Sequence, residues 1–214
     1  EQKMTVDIKF FFDKETATFT YIISDTKTKK SAIIDSVLNY DQYSGKTKTT
    51  SADQVINYLK EQQLTLEWIL ETHIHADHLT AAHYIKGKVG GRTGIGSKIT
   101  QVLDFWVPIF NTSNDTPLNG SQFDKLFSDN EAFQLGDTPV KVLHTPVHTP
   151  ACVSYLIENM LFVGDTIFMP DLGTARTDFP GGSASVMYDS IHRIFDLPDN
   201  TKIFICHDYP PEGR

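Results

Sequence analysis

The stretch Thr72-His73-Ile74-His75-Ala76-Asp77-His78 places three imidazoles and a carboxylate within six residues, directly behind the apolar run Leu66-Glu67-Trp68-Ile69-Leu70. That run reads as a strand. In an extended continuation residues i, i+2 and i+4 share one face, so His73, His75 and Asp77 are expected to converge, with His78 following where a helix begins. Three histidines so close repel one another when protonated and need partners when buried. A fold that accepts them must bring a metal, or further polar groups, to the end of that strand.

Three more segments carry the same signature. His148 lies in Thr145-Pro146-Val147-His148-Thr149-Pro150, Asp165 follows Leu161-Phe162-Val163-Gly164, and His207 follows Ile203-Phe204-Ile205-Cys206. Each polar residue ends an apolar strand, where a carboxylate or imidazole costs desolvation energy unless it is paired or bound to metal. Any one of them alone reads equally as a hydrogen-bonded strand-end residue or a turn cap. Together the four segments point to one shared metal pocket. His83, five residues after His78, does not complete a His-Glu-x-x-His pattern, and His144 and His192 have no ligand-like neighbours, so these three are left out. Cys152 and Cys206 adjoin apolar strand residues and read as buried thiols.

The rest of the chain supplies a frame for such a pocket. Residues 6–12, 17–24 and 31–37 are β-branched and aromatic runs separated by polar turns, as in a meander. Ser51-Ala52-Asp53-Gln54 has the pattern of a capping box ahead of Val55, Ile56 and Leu59, a helical stripe. Asp77 also stands where it would cap a helix carrying Leu79, Ala81, Ala82 and Ile85 and ending near Gly87. Val102, Phe105, Trp106, Ile109 and Phe110 recur at helical spacing before a polar loop at 111–121, and are expected to serve the core or a homodimer interface. Further strands are expected at 140–143, 153–157, 161–163 and 203–206, with a helix over 183–195 that buries Met187, Ile191, Ile194 and Phe195. Two β-rich halves, each with helices, imply an α/β, four-layer αββα sandwich, here one domain over residues 1–214.

Composition narrows the function classes. A formal charge of −8, with Lys and Arg scattered among 214 residues, leaves no basic stripe for nucleic acid. No run approaches membrane-spanning length, and the opening Glu1-Gln2-Lys3-Met4-Thr5-Val6-Asp7 has no apolar core or cleavage site of a secretory signal, so a cytoplasmic location is expected. Two cysteines are too few for a disulfide framework.

The His-x-His-x-Asp-His element, His148, Asp165 in Gly164-Asp165-Thr166 and His207, in that order, resemble the metallo-β-lactamase superfamily over nearly the whole chain. Gly173-Thr174-Ala175-Arg176-Thr177-Asp178-Phe179-Pro180-Gly181-Gly182 and Cys206-His207-Asp208-Tyr209 look most like its persulfide dioxygenase branch, with glyoxalase II the nearest alternative. The resemblance implies one iron(II) per chain held by His73, His148 and Asp165, with His75, Asp77, His78 and His207 around it or, in the alternative, holding a second metal in a pair of zinc ions. It further implies that Asp77 and His207 orient water or move protons, that Tyr209 donates a hydrogen bond near the iron, and that Arg176 meets a substrate carboxylate while Asp178 holds Arg176 or receives a substrate amine. The implied substrates are glutathione persulfide and dioxygen; the alternative is a thioester hydrolase acting on an acyl-glutathione. Val147 stands where the family commonly has glycine, and relatives usually continue past the position of Arg214.

Overall fold

A computed structural model describes residues 5–210; residues 1–4 and 211–214, including Arg214 and much of the N-terminal stretch read above, lie outside the described residues. In chain order the elements are β1 (Val6–Asp13), β2 (Thr18–Asp25), β3 (Lys30–Ile34), β4 (Val37–Asp41), β5 (Lys46–Lys48), α1 (Thr50–Glu61), β6 (Thr65–Leu70), β7 (Leu79–Thr80), α2 (Ala82–Val89), β8 (Arg92–Gly96), α3 (Ile99–Phe110), β9 (Lys125–Phe127), β10 (Ala132–Leu135), β11 (Thr138–His144), β12 (Val153–Ile157), β13 (Met160–Phe162), α4 (Ala184–Phe195) and β14 (Lys202–Phe204). One mixed sheet runs β1-β2-β3-β6-β8-β9, a second runs β10-β11-β12-β13-β14, and a small third sheet joins β5, β4 and β7.

Strand alternation explains the layering. In β2 and β3, Tyr21, Ile23, Ala32 and Ile34 point into the core between the two large sheets, where they meet Val140, Val142, Tyr155 and Phe162. The alternate residues Ile22 and Ile33 point outward and pack with Val55, Ile56 and Leu59 of α1 and Ile85 of α2. Central strands buried on both faces need apolar residues at every position, hence the unbroken run Tyr21-Ile22-Ile23. Ile33 and Ile69 are fully buried, each contributing roughly 1.5–3 kcal/mol. On the far side α4 lays Ile194 against Leu143, Leu161 and Val163 of the second sheet. The four-layer α/β sandwich expected from the sequence is the architecture the chain adopts.

Several local expectations change. The run 31–37 is two strands, because Asp35 adopts a left-handed φ of 55° that ends β3 and lets Val37 start β4. Ser51 sits inside α1 rather than capping it; Thr49 is the cap position, and the first-turn amide of Ser51 donates to Asn39 Oδ1 at 2.8 Å, a side chain reaching over from β4. Asp77 caps no helix. Leu79 and Thr80 pair with β4 instead, Leu79 is exposed, and Ala82 N at the start of α2 donates to Thr80 Oγ1 at 3.1 Å. In α4, Ser183 does cap, accepting from Val186 N, but Phe195 lies 67 % exposed, one residue and so about 100° round the helix from Ile194. Ile203 is exposed because β14 is an edge strand. In α3, Val102 is buried and Trp106 packs beside it, while Phe105, Ile109 and Phe110 face outward. The short strands β5, β7, β8, β9 and β10 are additions to the sequence reading. Val147 is buried with a φ that is not positive, so its position makes no demand for glycine. No helix among the described residues is long and apolar enough to cross a membrane.

Candidate metal centre

The site forms because several strands end at one edge of the sandwich. In the first sheet β3 and β6 run parallel and deliver Asp35 and the loop 71–78. In the second, β13 and β14 are parallel and deliver Asp165 and His207, and β11, antiparallel to β12 as β12 is to β13, shares their direction and leads to His148. The sheets are stitched at that edge: Val153 N donates to Thr72 O at 2.9 Å, Tyr155 Oη to Glu71 O at 2.8 Å, and Phe19 N to Cys206 O at 2.7 Å. Gly164 makes the turn into Asp165 with φ +57°, and a Cβ there would stand 2.6 Å from Thr72 Oγ1, so only glycine lets this loop press against its neighbour.

Among the described residues the donors form overlapping groups, Asp165 also lying with Cys206 and His207 and His75 with Asp35 and Glu71, and two groups hold the donors singled out by the sequence. His73, His148 and Asp165 offer three atoms mutually within 4.8 Å, and His75, Asp77, His78 and His207 offer four within the same limit. The expectation that His73, His75 and Asp77 converge on one point therefore changes. Residues 71–78 bend rather than run extended, so the two-residue alternation of a strand does not apply and His73 turns to one group while His75 and Asp77 turn to the other. The groups touch: Asp165 Oδ2 lies 3.3 Å from His73 Nε2 and its Oδ1 lies 2.5 Å from His207 Nδ1, while the His73 and His75 rings are 4.1 Å apart.

Electrostatics match a cation-binding pocket. Burial alone would raise the Asp165 carboxyl, yet the charges and hydrogen bonds of His73 and His207 hold it far below the usual carboxylate range. Asp77 behaves likewise, burial being outweighed by His207 and His78. Burial pulls His207 down, but Asp165 and Asp77 lift it to about 9. His75 is raised well above its ordinary value against the effect of burial, by Asp35 and Glu71. His148 and His78 are lowered by burial. Three ring nitrogens, His75 Nδ1, His78 Nε2 and His207 Nε2, are buried without a hydrogen bond of good geometry, although His207 Nε2 lies 2.7 Å from Asp77 Oδ2. Buried polar atoms left unpaired are rare and costly. Three in one group, among imidazole and carboxylate donors, fit zinc, iron or a similar transition-metal ion.

Two carboxylates of the site escape the sequence argument. Asp35 Oδ1 and Glu71 Oε2 lie 3.2 and 3.1 Å from His75 Nε2, and both residues are buried. Asp35 follows the apolar pair Ile33-Ile34, so the criterion that singles out Asp165 applies to it equally. Tyr209 is half-exposed and its ring stacks on His207 at 5.5 Å with planes 9° apart. Arg176 and Asp178 stand apart from the donors as an exposed, bidentate ion pair, with both contacts at 2.6 Å. The Arg176 guanidinium lies over Phe179, whose ring meets His148 at 5.9 Å. Both cysteines are free and buried, and Cys152 Sγ lies 3.7 Å from His148 Nδ1.

Comparison with known proteins is consistent with this geometry. The chain is 54% identical over 209 residues to glyoxylase B2 of Dictyostelium discoideum, covering 97% of this chain and 72% of that protein. It is 48% identical over 210 residues to a beta-lactamase hydrolase-like protein of Xylella fastidiosa, and spans 48% of that protein's length. It is 29% identical over 205 residues to the mitochondrial persulfide dioxygenase ETHE1 of Bos taurus, covering 94% and 68% of the two chains. Among solved structures, ETHE1 from Myxococcus xanthus superposes with a TM-score of 0.74 at 29% identity over 97% of this chain and 77% of that one. The family model of the metallo-beta-lactamase superfamily matches residues 14–207, from the turn after β1 to the last histidine of the site, and the chain belongs to that superfamily.

Proposed function

We propose that this protein is an iron(II)-dependent persulfide dioxygenase acting on glutathione persulfide. The observation that carries this is that His73, His148 and Asp165 bring three donor atoms within 4.8 Å of one another, a two-histidine, one-carboxylate set suited to non-haem iron. The similarity to the Bos taurus persulfide dioxygenase supports it. In the overall reaction the persulfide S–S bond breaks; the outer sulfur leaves as sulfite with both atoms of dioxygen and one oxygen of water, and the inner sulfur leaves as the thiol. Bound iron(II) supplies the redox chemistry that dioxygen requires.

The chain's own residues bind and move protons around that chemistry. Asp77, with a third of its side chain exposed and its carboxyl kept ionised by His207 and His78, stands 2.7 Å from His207 Nε2, placed to accept a hydrogen bond from that imidazole and to orient incoming water. Burial, then the charges of Asp77 and Asp165, push the Tyr209 phenol up, so it stays protonated and donates a hydrogen bond to the substrate. The Arg176–Asp178 pair presents both signs of charge at the surface beside Phe179, suited to the carboxylates and ammonium of a glutathione carrier.

A second reading has its own support. The 54% identity to glyoxylase B2, together with a four-donor group adjoining the first, favours a thioester hydrolase holding two zinc ions. Anaerobic purification with metal analysis, oxygen-electrode traces on glutathione persulfide and a thioester-cleavage assay separate the two. Iron with oxygen uptake is expected; zinc with fast thioester cleavage and no oxygen uptake overturns the dioxygenase.

A further inference from the structure

The loop that carries the histidines holds a buried carboxylate with no place in the scheme above. Glu71 is 3% exposed, two residues before His73, where an uncompensated charge costs several kcal/mol. Its backbone is fixed from both sheets, N donating to Gly94 O and O accepting from Tyr155 Oη. Its side chain is fixed at both oxygens: Oε1 accepts from the Thr80 hydroxyl and Oε2 lies 3.1 Å from His75 Nε2. Thr80 is itself tied to the first turn of α2 through Ala82 N.

We propose that Glu71 is a positioning residue for His75, clamping its Nε2 edge so that Nδ1 is the nitrogen offered to a metal by the group His75, Asp77, His78 and His207. Asp35 reaches the same Nε2 at 3.2 Å but is already engaged by Thr72, whose N and Oγ1 both donate to it at 2.8 Å. Among the described residues the Glu71 side chain meets Thr80 at Oε1 and His75 at Oε2, so its second oxygen faces the imidazole. With two carboxylate acceptors at one ring nitrogen, that nitrogen must carry the proton, and in the neutral ring the lone pair is left on Nδ1. Nδ1 is the buried atom that has no hydrogen-bond partner. The inference rests on the metal reading of the site and is independent of the reaction performed there.

The experiment is a competition titration of the metal-depleted protein with zinc(II) and cobalt(II) against a chelator, run on the wild type, Glu71→Ala, Glu71→Gln and Thr80→Val. Glu71→Ala is expected to weaken the metal held by His75 by about 10–100-fold and to change the cobalt absorption bands. Glu71→Gln, which keeps a carbonyl toward Nε2, recovers most of the loss, and Thr80→Val shows a smaller loss in the same direction. In the zinc-loaded protein, nitrogen NMR of His75 is expected to show a protonated Nε2 beside a metal-bound Nδ1 in the wild type and to lose that signature in Glu71→Ala. If Glu71→Ala does not fold, Thr80→Val and Glu71→Gln carry the test, and wild-type affinity in Thr80→Val with a full loss in Glu71→Gln overturns the clamp. Affinity within twofold of wild type in folded Glu71→Ala, or a full additional loss when Glu71→Ala is placed on His75→Ala, also overturns it. Oxygen uptake plays no part in these readouts, so failure of the dioxygenase proposal leaves this test standing.

Discussion

In the group of His73, His148 and Asp165, the ring nitrogens turned away from the donors rest on neutral partners: Thr72 Oγ1 at 2.9 Å from His73 Nδ1, and Cys152 Sγ at 3.7 Å from His148 Nδ1. In the neighbouring group the supports are carboxylates. His75 leans on Asp35 and Glu71, His78 Nδ1 on Asp77 at 2.9 Å, and His207 Nδ1 on Asp165 at 2.5 Å. A carboxylate behind an imidazole raises its basicity and fixes its orientation, and a hydroxyl or thiol does this more weakly. Two sets of similar donors a few ångströms apart are thus held with different stiffness and charge. The neutral set suits a metal whose coordination changes in the reaction, and the anionic set suits retention of a cation or a proton.

Asp165 is a donor of the first group and its Oδ1 also supports His207 of the second, so its removal is the strongest way to break the comparison. Asp165→Ala is expected to cost at least about a hundredfold in metal affinity, beyond the loss of a supporting partner, and to abolish oxygen uptake. Metal analysis after dialysis and an oxygen electrode measure both. Histidine changes then sharpen the contrast. His73→Ala should leave the protein without iron, whereas His75→Ala should keep close to the wild-type iron content with turnover reduced by about tenfold. Equal iron loss in the two would erase the distinction between the groups.

Asp25 provides a carboxylate of the opposite kind, buried but remote from the donors. Burial would raise it, and hydrogen bonds from the amides of Lys27, Thr28 and Asp137 and the Thr138 hydroxyl instead bring it down to about 2. Its folded value lies below its ordinary 3.8, so its contribution is complete above about pH 4 and is lost as the pH falls through about 2. Asp25→Asn is expected to lower stability at neutral pH by about 2 kcal/mol and to flatten the acid limb of the stability curve, with metal content unchanged. Denaturant melts between pH 2 and 7 check this. Arg176→Ala should leave the fold and metal intact, since an exposed pair adds little to stability, and raise KM for glutathione persulfide by several-fold with kcat nearly constant. The smallest effect is expected from Cys152→Ala, a change of no more than about threefold in iron affinity, because a thiol is a weak partner for His148. A loss of metal affinity as large as that expected of Glu71→Ala would show that the neutral supports matter as much as the charged ones.

The sequence made the sandwich and the seven donors legible for one reason: polar residues at the ends of apolar runs have few cheap places to go. It did not show how the donors are shared. Residues 71–78 look like the continuation of a strand, and only their bend in three dimensions sends His73 and His75 to different groups. Glu71 escapes the same pattern, since a glutamate directly after an apolar run reads as the solvent-facing residue of an alternating strand. The Ser51 and Gln54 pattern of a capping box misleads because Asn39, distant in sequence, supplies the acceptor that the Ser51 amide needs. Phe195 and Ile203 were placed inside by hydropathy alone, which carries no information about which helix face or sheet edge finds a neighbour.

The strand ends that meet at the site come from both sheets, and the hydrogen bonds of Val153 to Thr72 and Tyr155 to Glu71 close the seam beside them. Neither half of the polypeptide supplies all the donors of either group. Capture of an ion is therefore coupled to the last act of assembly, the docking of one β-layer on the other, and a chain that misplaces either layer would betray itself by failing to retain metal long before it lost its secondary structure.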